Sequence, residues 1–294
     1  MNYKPQNENE IIIKLDGRMA NQMFEWALVR SFQMKRNILP LIDDSYETLK
    51  LKHFALFKDL KLIKQPILNK ILRKIIPFRN LRNKITTLNF EMPSYSEQKQ
   101  FDPSIFDLNA PCYIKGYFQN EKYFKDIKEQ LIQDFKLTKK LNKKNLEMLE
   151  KIKNTCSVCV HFRRGDYTKT RVSNFFGICS FEYYKNAVDI IYQKTQTPLT
   201  LFVFSDDIKW AKENIKFDFD VVYVDINDAR HGYFDLELMK NCKHDIIANS
   251  SFSWMAAWLN ENPQKIVVAP TPWHKNVDEN EDIVPSDWIK LNKE

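Results

Sequence analysis

Two adjacent arginines follow an apolar run in the stretch VCVHFRRGDY, residues 158–167. The run alternates like a strand, and two guanidinium groups are costly to hold at its end unless an anion receives them. A guanidinium fork matches a phosphate group with parallel hydrogen bonds and stays charged at any working pH. Arg163 and Arg164 point in different directions, so they need not share a partner. The stretch predicts an anion site, and the alternative is an ion pair within Arg-Arg-Gly-Asp that closes a turn.

A second polar stretch, ANSSFSWMA, covers residues 248–256. It places three hydroxyl groups and several backbone N–H groups at a predicted helix start, and such an N-terminus binds anions readily. An arginine from one strand end and this helix start from another could hold a diphosphate from two sides. The alternative is that the hydroxyl groups only cap the helix. The candidate binding residues are Asn249, Ser250, Ser251, Phe252 and Ser253.

A third stretch, SDD at 205–207, supplies hydrogen-bond acceptors. A carboxylate beside a diphosphate would be repelled, so Asp206 and Asp207 are expected to meet the base or sugar of a nucleotide. A guanine ring offers two N–H donors that a carboxylate can accept. The alternative is a helix cap at Asp206 followed by a solvated acid at Asp207.

These three stretches end predicted strands of a regular strand–helix alternation in the second half of the chain. Near-continuously apolar strands separated by helical patterns are typical of a parallel sheet covered on both faces. Ligands bind such sheets beyond the carboxyl ends of the strands. The endings 161–166, 205–207 and 249–253 all fall at that edge, which predicts one shared site. The predicted strands are 156–162, 200–205, 221–225, 245–249 and 265–270.

The first half of the chain starts in the same way, with a strand at 11–16, a turn GRMANQ at 17–22 and an amphipathic helix at 23–36. The pattern weakens after a second strand and returns at 112–135. A lysine-rich run at 136–154 is interpreted as a solvated helix or linker. We therefore predict two strand–helix domains, residues 1–150 and 151–294, that meet at a cleft.

Length and composition limit the class of protein. A chain of 294 residues usually forms one or two domains, and an apolar fraction of 44% excludes general disorder. No apolar window is long enough to span a membrane, and MNYKPQNENE lacks the basic start and apolar centre of a secretory signal. Five scattered cysteines suit a reducing compartment better than a disulfide framework. We expect a cytoplasmic protein.

The net charge of +7 arises from basic residues that are concentrated in one segment. Residues 49–84 contain eight lysines and three arginines against the single acid Asp59, so this segment contributes +10 and the rest of the chain is at −3. A helical pattern lies within it. One interpretation is a solvated helix face, and a second is a helix that lies on an anionic membrane surface. Nucleic-acid binding is not expected, because no recognised motif accompanies the charge. The cations of the helical pattern are Lys70, Arg73, Lys74 and Arg79.

Two patterns that suggest a metal are discounted. The Asp-x-Asp at 218–220 precedes a strand as a polar turn. Cys156 and Cys159 lie three apart on a predicted strand and so face opposite sides, and no second pair completes a zinc site. These cysteines are interpreted as small core residues. We expect neither a metal ion nor another cofactor.

Several separated motifs, in order, carry a family resemblance. The stretches NQMFEWA (21–27), GYFQNEKYF (116–124), HFRRGDY (161–167) and IIANSSFSWMAAWL (246–259) resemble the bacterial α-1,2-fucosyltransferases of glycosyltransferase family 11. The resemblance runs from about Ile12 to Trp273. Two departures from the family pattern are present. Arg18 and Ala20 alter the opening turn, where glycine fits best, and Met255 replaces a tryptophan in the last motif.

The resemblance implies a GT-B fold of two facing Rossmann-like domains, with the nucleotide held by the C-terminal one. It implies metal-independent, inverting transfer of L-fucose from GDP-β-L-fucose to the 2-hydroxyl of a terminal galactose in a glycan acceptor. By motif, Arg163 would bind the β-phosphate and stabilise the departing GDP, and Arg164 would support the loop or the donor. Asp166, beside two arginines, should have a low pKa and would orient them rather than act as a base.

The remaining site residues follow from the same resemblance. His161 and Asp207 would lie near guanine, and the 250–252 stretch would line the diphosphate. Three residues of the first domain, Gly17, Asn21 and Gln22, would face the cleft. The alternatives are transfer of another GDP-sugar, a different fucose linkage, or a homologue that binds GDP or a glycan without catalysis. The altered opening turn is the feature that favours the last of these.

Overall fold

The computed structural model describes residues 2–5, 9–45, 49–64, 67–76, 88–168, 174–275 and 282–294. The chain divides into two compact units, Met1–Thr138 and Lys139–Glu294. Each unit contains a parallel β-sheet with helices, so the predicted α/β class is confirmed.

The N-terminal unit is built on a four-stranded parallel sheet with the strand order β3-β2-β6-β5. Strand β2 lies at its centre because Ile11, Ile12 and Ile13 are almost fully buried. The long helix Met19–Arg36 follows and ends at Asn37, which has the left-handed backbone conformation common at helix ends. The sheet strands are β2 (Ile11–Lys14), β3 (Leu41–Asp43), β5 (Ser94–Ser96) and β6 (Cys112–Lys115).

That helix begins earlier than its sequence pattern suggests. The predicted turn covered residues 17–22, but the helix already includes Met19–Gln22. Residues 19–22 can be helical because they contain no proline and no glycine; the glycine of this stretch, Gly17, precedes the helix. The prediction of the turn was therefore too long by one helical turn.

A buried ion pair joins the long helix to the helix Lys128–Asp134. The Nε atom of Arg30 lies 2.6 Å from a carboxylate oxygen of Asp134, and the indole of Trp26 donates to the same oxygen at 2.8 Å. A second guanidinium nitrogen of Arg30 pairs with Asp59 at 2.8 Å. Other elements of this unit are β1 (Asn2–Tyr3), β4 (Asn89–Phe90) and the helix Ile67–Ile75.

The C-terminal unit is built on a six-stranded parallel sheet with the order β12-β11-β10-β7-β8-β9. The five predicted strands are confirmed with small shifts at their ends, and β12 was missed because it is short and half-exposed. The strands are β7 (Cys156–Phe162), β8 (Leu199–Ser205), β9 (Asp220–Tyr223), β10 (His244–Ile246), β11 (Val267–Thr271) and β12 (Ile289–Asn292).

Helices connect these strands, as the alternating pattern predicts. Ser180 caps the helix Phe181–Thr195 by accepting a hydrogen bond from the backbone of Tyr183 at 3.1 Å. The helices are Lys143–Lys153, Phe181–Thr195, Ile208–Asn214, Gly232–Met239 and Ser251–Leu259. In the part of the chain that the structure describes, no helix has the length and apolar character needed to cross a membrane.

Candidate functional site

Three strand ends meet at one edge of the C-terminal sheet. Strand β7 lies between β10 and β8, so the polar stretches that follow these strands are brought together. The register pairs Phe162 of β7 with Ser205 of β8, which places the arginine pair beside the Asp-Asp pair. The single edge predicted from the sequence is therefore observed.

Arg163 forms an ion pair with the neighbouring strand end. Its Nη1 atom lies 2.9 Å from a carboxylate oxygen of Asp206, and its guanidinium lies 5.3 Å from the ring centre of Tyr167. The side chain is 14% exposed, so it borders solvent while its orientation is fixed. An ion pair does exist here, and its acid, Asp206, directly follows strand β8. The ion pair within Arg-Arg-Gly-Asp stays a prediction, because the Asp166 side chain lies outside the described residues.

Arg164 points to a different environment, as the sequence predicts. Its guanidinium carbon lies 3.5 Å from the ring centre of Trp210, a close stacking contact. Its Nε atom is buried and has no hydrogen-bond partner among the residues that the structure describes. Leaving a buried donor of a charged group unpaired costs about 1–3 kcal/mol. The arrangement is thus suited to an oxygen acceptor supplied by a ligand.

Asp206 organises the turn that carries both arginines. One of its oxygens accepts from the backbone N–H groups of Arg164 and Gly165 at 2.9 and 3.1 Å, and the other binds Arg163. Gly165 leaves room for this carboxylate, since a Cβ there would lie 2.5 Å from it. Sequence reasoning gave the orienting role to Asp166, which starts the short turn Asp166–Thr168 and whose side chain lies outside the described part.

The next acid, Asp207, has a local structural role. It is the N-cap residue of the helix Ile208–Asn214 and accepts from the backbone of Trp210 at 3.3 Å. Its own backbone N–H donates to Ser205 Oγ at 3.0 Å. The alternative in which Asp206 caps this helix is therefore wrong. A contact of either acid with a base or sugar stays a prediction.

His161 is a buried, neutral side chain that connects strand β7 to the last helix. Its Nδ1 atom lies 2.9 Å from Ser253 Oγ, and its ring centre lies 5.9 Å from that of Phe252. Burial, reinforced by the positive charge of Arg163, lowers the pKa of His161 to about 4. The imidazole is therefore uncharged near neutral pH, and so low a pKa makes it a weak base.

The hydroxyl-rich stretch starts the helix Ser251–Leu259, as predicted. Ser250 is the N-cap residue, but its hydroxyl group makes no capping hydrogen bond. The amide of Asn249 is buried and donates to three carbonyl oxygens, those of Phe176, Gly177 and Trp273 at 2.8–3.3 Å. In the structure Asn249 holds loops together, while Ser250, Ser251 and Phe252 stand at the helix start.

A cavity of about 390 Å³ opens beside the arginine pair, within the C-terminal unit. Its walls are mostly apolar and aromatic, and both guanidinium-bearing residues line it. A nucleotide ring or a sugar has a size that suits this volume, and pockets of this character are common small-molecule sites. The lining residues are Phe162, Arg163, Arg164, Ile178, Cys179, Ser180, Phe181, Tyr184, Trp210 and Ile215.

The opening turn of the N-terminal unit has an ordinary backbone at both altered positions. Gly17 has the positive φ of 72°, and a Cβ there would lie 2.5 Å from Asn21 Nδ2. Arg18 is extended, with φ −87° and ψ 177°, and Ala20 is inside the long helix. Neither position requires glycine, so these departures leave the turn intact.

Side chains hold that turn from several directions. Gln22 is buried, and its amide donates to the carbonyl of Gly17 at 3.3 Å and accepts from the backbone of Lys50 at 2.7 Å. Asn21 accepts from the amide of Gln119 at 3.0 Å. Sequence reasoning missed Glu25, a buried carboxyl group that accepts from the backbone of Asp16 at 2.9 and 3.0 Å. Its burial raises the pKa of Glu25 well above the usual range.

Among the described residues, no three His, Cys, Asp or Glu side chains lie close enough together to hold a metal ion. Asp220 starts strand β9 and Asp218 precedes it in a turn. Cys159 is fully buried and Cys156 is half-buried in strand β7, as expected for core residues.

Comparison with solved structures shows the fold class. This chain is similar to the crystal structure of POFUT1 in complex with GDP, with a TM-score of 0.52 and 13% sequence identity. The structural alignment covers 90% of this chain and 99% of the POFUT1 chain. The two Rossmann-like units thus form a fold of the GT-B class, as the sequence predicts.

Comparison of sequences shows the family. The family model for glycosyl transferase family 11 matches residues 1–292, and the chain belongs to this family. It is 31% identical over 299 residues to an alpha-1,2-colitosyltransferase of Escherichia coli, covering 96% of this chain and 99% of the relative. It is 28% identical to the O-antigen biosynthesis glycosyltransferase WbnK of Escherichia coli, covering 94% and 99%.

Proposed function

We propose that this chain transfers L-fucose from GDP-β-L-fucose to the 2-hydroxyl of a terminal galactose in a glycan acceptor. The observation that carries the proposal is the arginine pair at the carboxyl edge of the C-terminal sheet. Among the residues that the structure describes, Arg164 Nε is buried without an acceptor, beside a cavity that both arginines line. Family membership and the alpha-1,2 linkage in the name of a relative support the transfer and the linkage.

The proposed chemistry depends on the leaving group. The bond between the anomeric carbon of fucose and the diphosphate oxygen breaks, and its electron pair passes to the β-phosphate. Fixed positive groups that face this developing charge stabilise the transition state most effectively. We assign the β-phosphate to Arg163 and a donor oxygen to the Nε atom of Arg164. The acceptor 2-hydroxyl attacks the opposite face of the anomeric carbon and loses its proton to water, so the β-linked donor gives an α-linked product and free GDP.

The arginine pair also supports a reaction without a metal ion. Two guanidinium groups can neutralise a diphosphate in the way that a divalent ion does in other transferases. We further propose that no metal or other cofactor takes part, that the protein acts in the cytoplasm, and that His161 is not the general base. A loose transition state with a well-stabilised leaving group makes a small demand on proton removal.

Two observations bear on the alternatives. The altered opening turn was the reason to consider a homologue without catalysis, and its ordinary backbone at Arg18 and Ala20 removes that reason. A second candidate donor is GDP-colitose, because a relative that matches nearly the whole chain is named as a colitosyltransferase. Colitose is fucose without its 3-hydroxyl, so the two donors share the diphosphate that the arginine pair would bind.

The test is transfer by the purified full chain. The enzyme is incubated with GDP-fucose or GDP-colitose and a panel of β-galactosides, and glycosylated product and free GDP are both measured. We expect an α-1,2-fucosylated galactoside, with more product than hydrolysed donor. Preferred use of GDP-colitose would make the second candidate correct. Binding of GDP without product from any donor would contradict both.

A further inference from the structure

The helix Ile67–Ile75 of the N-terminal unit presents apolar side chains to solvent. Leu68, Ile71 and Ile75 are 52%, 49% and 65% exposed, and their spacing of three and four residues puts them on one face. Asn69 of the same helix is fully buried. A helix on a soluble surface normally turns its polar face outward. Among its described side chains, this helix turns three large apolar ones outward.

Apolar exposure continues along the chain on the N-terminal side of the helix. Phe57 is 48% exposed and Leu62 is 39% exposed. Among the described residues, five of the eleven large apolar side chains that are exposed fall between positions 57 and 75. Single exposed apolar residues scattered over a surface need no explanation, but this concentration in one segment does. We call residues 57–64 and 67–75 the docking segment.

The docking segment is also strongly basic. Lys58, Lys61 and Lys64 are exposed, and the helix adds two lysines and an arginine. The only acidic residue in the segment, Asp59, is bound to Arg30 of the long helix at 2.8 Å. Its negative charge is therefore engaged by a cation outside the segment. The surface combines exposed aliphatic groups with exposed lysines.

We propose that the docking segment binds the protein to an anionic lipid membrane. The aliphatic side chains would enter the boundary between headgroups and acyl chains, and the lysines would meet the anionic headgroups. Charge decides against a second copy of this chain, because two copies of so basic a segment would repel each other face to face. This docking is independent of the donor and acceptor proposed above.

The first test removes the aliphatic face. The full chain is sedimented with vesicles of phosphatidylglycerol and phosphatidylcholine, or of phosphatidylcholine alone. Wild type should bind the anionic vesicles at low salt. The triple variant Leu68→Ser, Ile71→Ser, Ile75→Ser should bind them about ten-fold more weakly or worse. Its matched control is Met34→Ser, Leu146→Ser, Tyr192→Ser, three exposed apolar side chains elsewhere, which should bind like wild type.

The second test reverses the charge. Each cation close to an anionic surface contributes about five-fold in affinity. The variant Lys58→Glu, Lys61→Glu, Lys64→Glu should therefore lose about 100-fold or more. The matched control reverses three exposed lysines at 139, 140 and 143 in the same way and should bind like wild type. Binding should also weaken with added salt, since exposed charges are screened over about 8 Å at physiological ionic strength.

Several results would overturn the proposal. One is a failure of wild type to sediment with anionic vesicles at low salt, and another is equal binding to phosphatidylcholine alone. Equal losses in the test and control variants would show that the effect is not specific to the docking segment. A dimer in analytical ultracentrifugation that the serine variant dissociates would show that a second copy covers the face. Thermal unfolding confirms that each variant is folded.

The helical pattern contains further cations that these tests leave unchanged. Arg79 lies outside the described residues, as do the side chains of Lys70, Arg73 and Lys74. The charge variant is therefore built on lysines whose exposure the structure describes.

Discussion

Replacing Arg163 with lysine tests the role of a guanidinium fork while it keeps the positive charge. In the structure Nη1 of Arg163 pairs with Asp206 at 2.9 Å, and the group also borders the cavity. A planar fork can hold Asp206 and a phosphate at the same time, whereas a single ammonium group is drawn to the nearer carboxylate. The lysine variant should therefore keep the ion pair and lose the contact with the leaving group.

The magnitude follows from the type of contact. Loss of one donor that faces developing negative charge lowers kcat by about 100-fold to 1,000-fold, which corresponds to about 2.7–4 kcal/mol in activation free energy. The unfolding free energy should change by less than about 1 kcal/mol, because Asp206 keeps a cationic partner. The donor KM should change much less than kcat, since the contact strengthens as the bond breaks.

The assay is initial-rate transfer with the donor varied, accompanied by thermal unfolding. The matched control is Arg230→Lys, because Arg230 also pairs with an aspartate of this unit, Asp228 at 2.8 Å, but is 86% exposed. The control should keep kcat within about two-fold of wild type. A kcat of the Arg163 variant within about three-fold of wild type would refute the leaving-group role, as would a change confined to KM.

Four further outcomes are expected. Product formation should persist in excess EDTA. If EDTA abolished it and only added Mg²⁺ or Mn²⁺ restored it, the Asp-x-Asp at 218–220 would again be a candidate metal site. Chemical denaturation of Asp206→Asn should show a loss of about 1 kcal/mol, and Asp206→Ala about 1–2 kcal/mol, because alanine removes the acceptor of two solvent-exposed N–H groups. Gly17→Ala should lower the unfolding free energy by about 1–3 kcal/mol in the same measurement, because φ is 72°. The pKa of His161 is lowered to about 4 in the fold, so the unfolded chain binds the extra proton first and stability falls as the pH drops from about 6.5 towards 4. A His161→Asn variant should lack that part of the pH dependence in denaturation curves, and an unchanged pH dependence would contradict it.

The edge that carries the site could be predicted because strand–helix alternation alone determines it. Apolar strands that alternate with helices form a parallel sheet, and their carboxyl ends then converge. Polar residues at the ends of β7, β8 and β10 were therefore placed together without any knowledge of contacts. The split of Arg163 and Arg164 between different partners followed equally simply, from the alternating directions of neighbouring side chains.

The partner of Arg163 could not be predicted because it depends on strand register. From sequence alone the nearest acid is Asp166, three positions along the chain. In the fold, the pairing of Phe162 with Ser205 brings Asp206 to within 2.9 Å of the guanidinium. Register between parallel strands is set by the packing of both sheet faces, so it cannot be predicted from a short polar motif. The stacking of Arg164 on Trp210 depends on the same placement.

Contacts within the protein hold both arginines in place around the cavity. Arg163 is held by Asp206, and the guanidinium carbon of Arg164 lies over the Trp210 ring, 3.5 Å from its centre. Asp206 in turn accepts hydrogen bonds from two backbone N–H groups, so contacts within the protein hold residues 163–165. A cation that is already oriented loses little entropy when an anion arrives, and it need not reorganise as charge develops during bond breaking. Asp206 therefore has two opposing effects on the site. Its negative charge weakens the attraction between this edge and a diphosphate, but its hydrogen bonds fix the arginines in the geometry that a diphosphate needs.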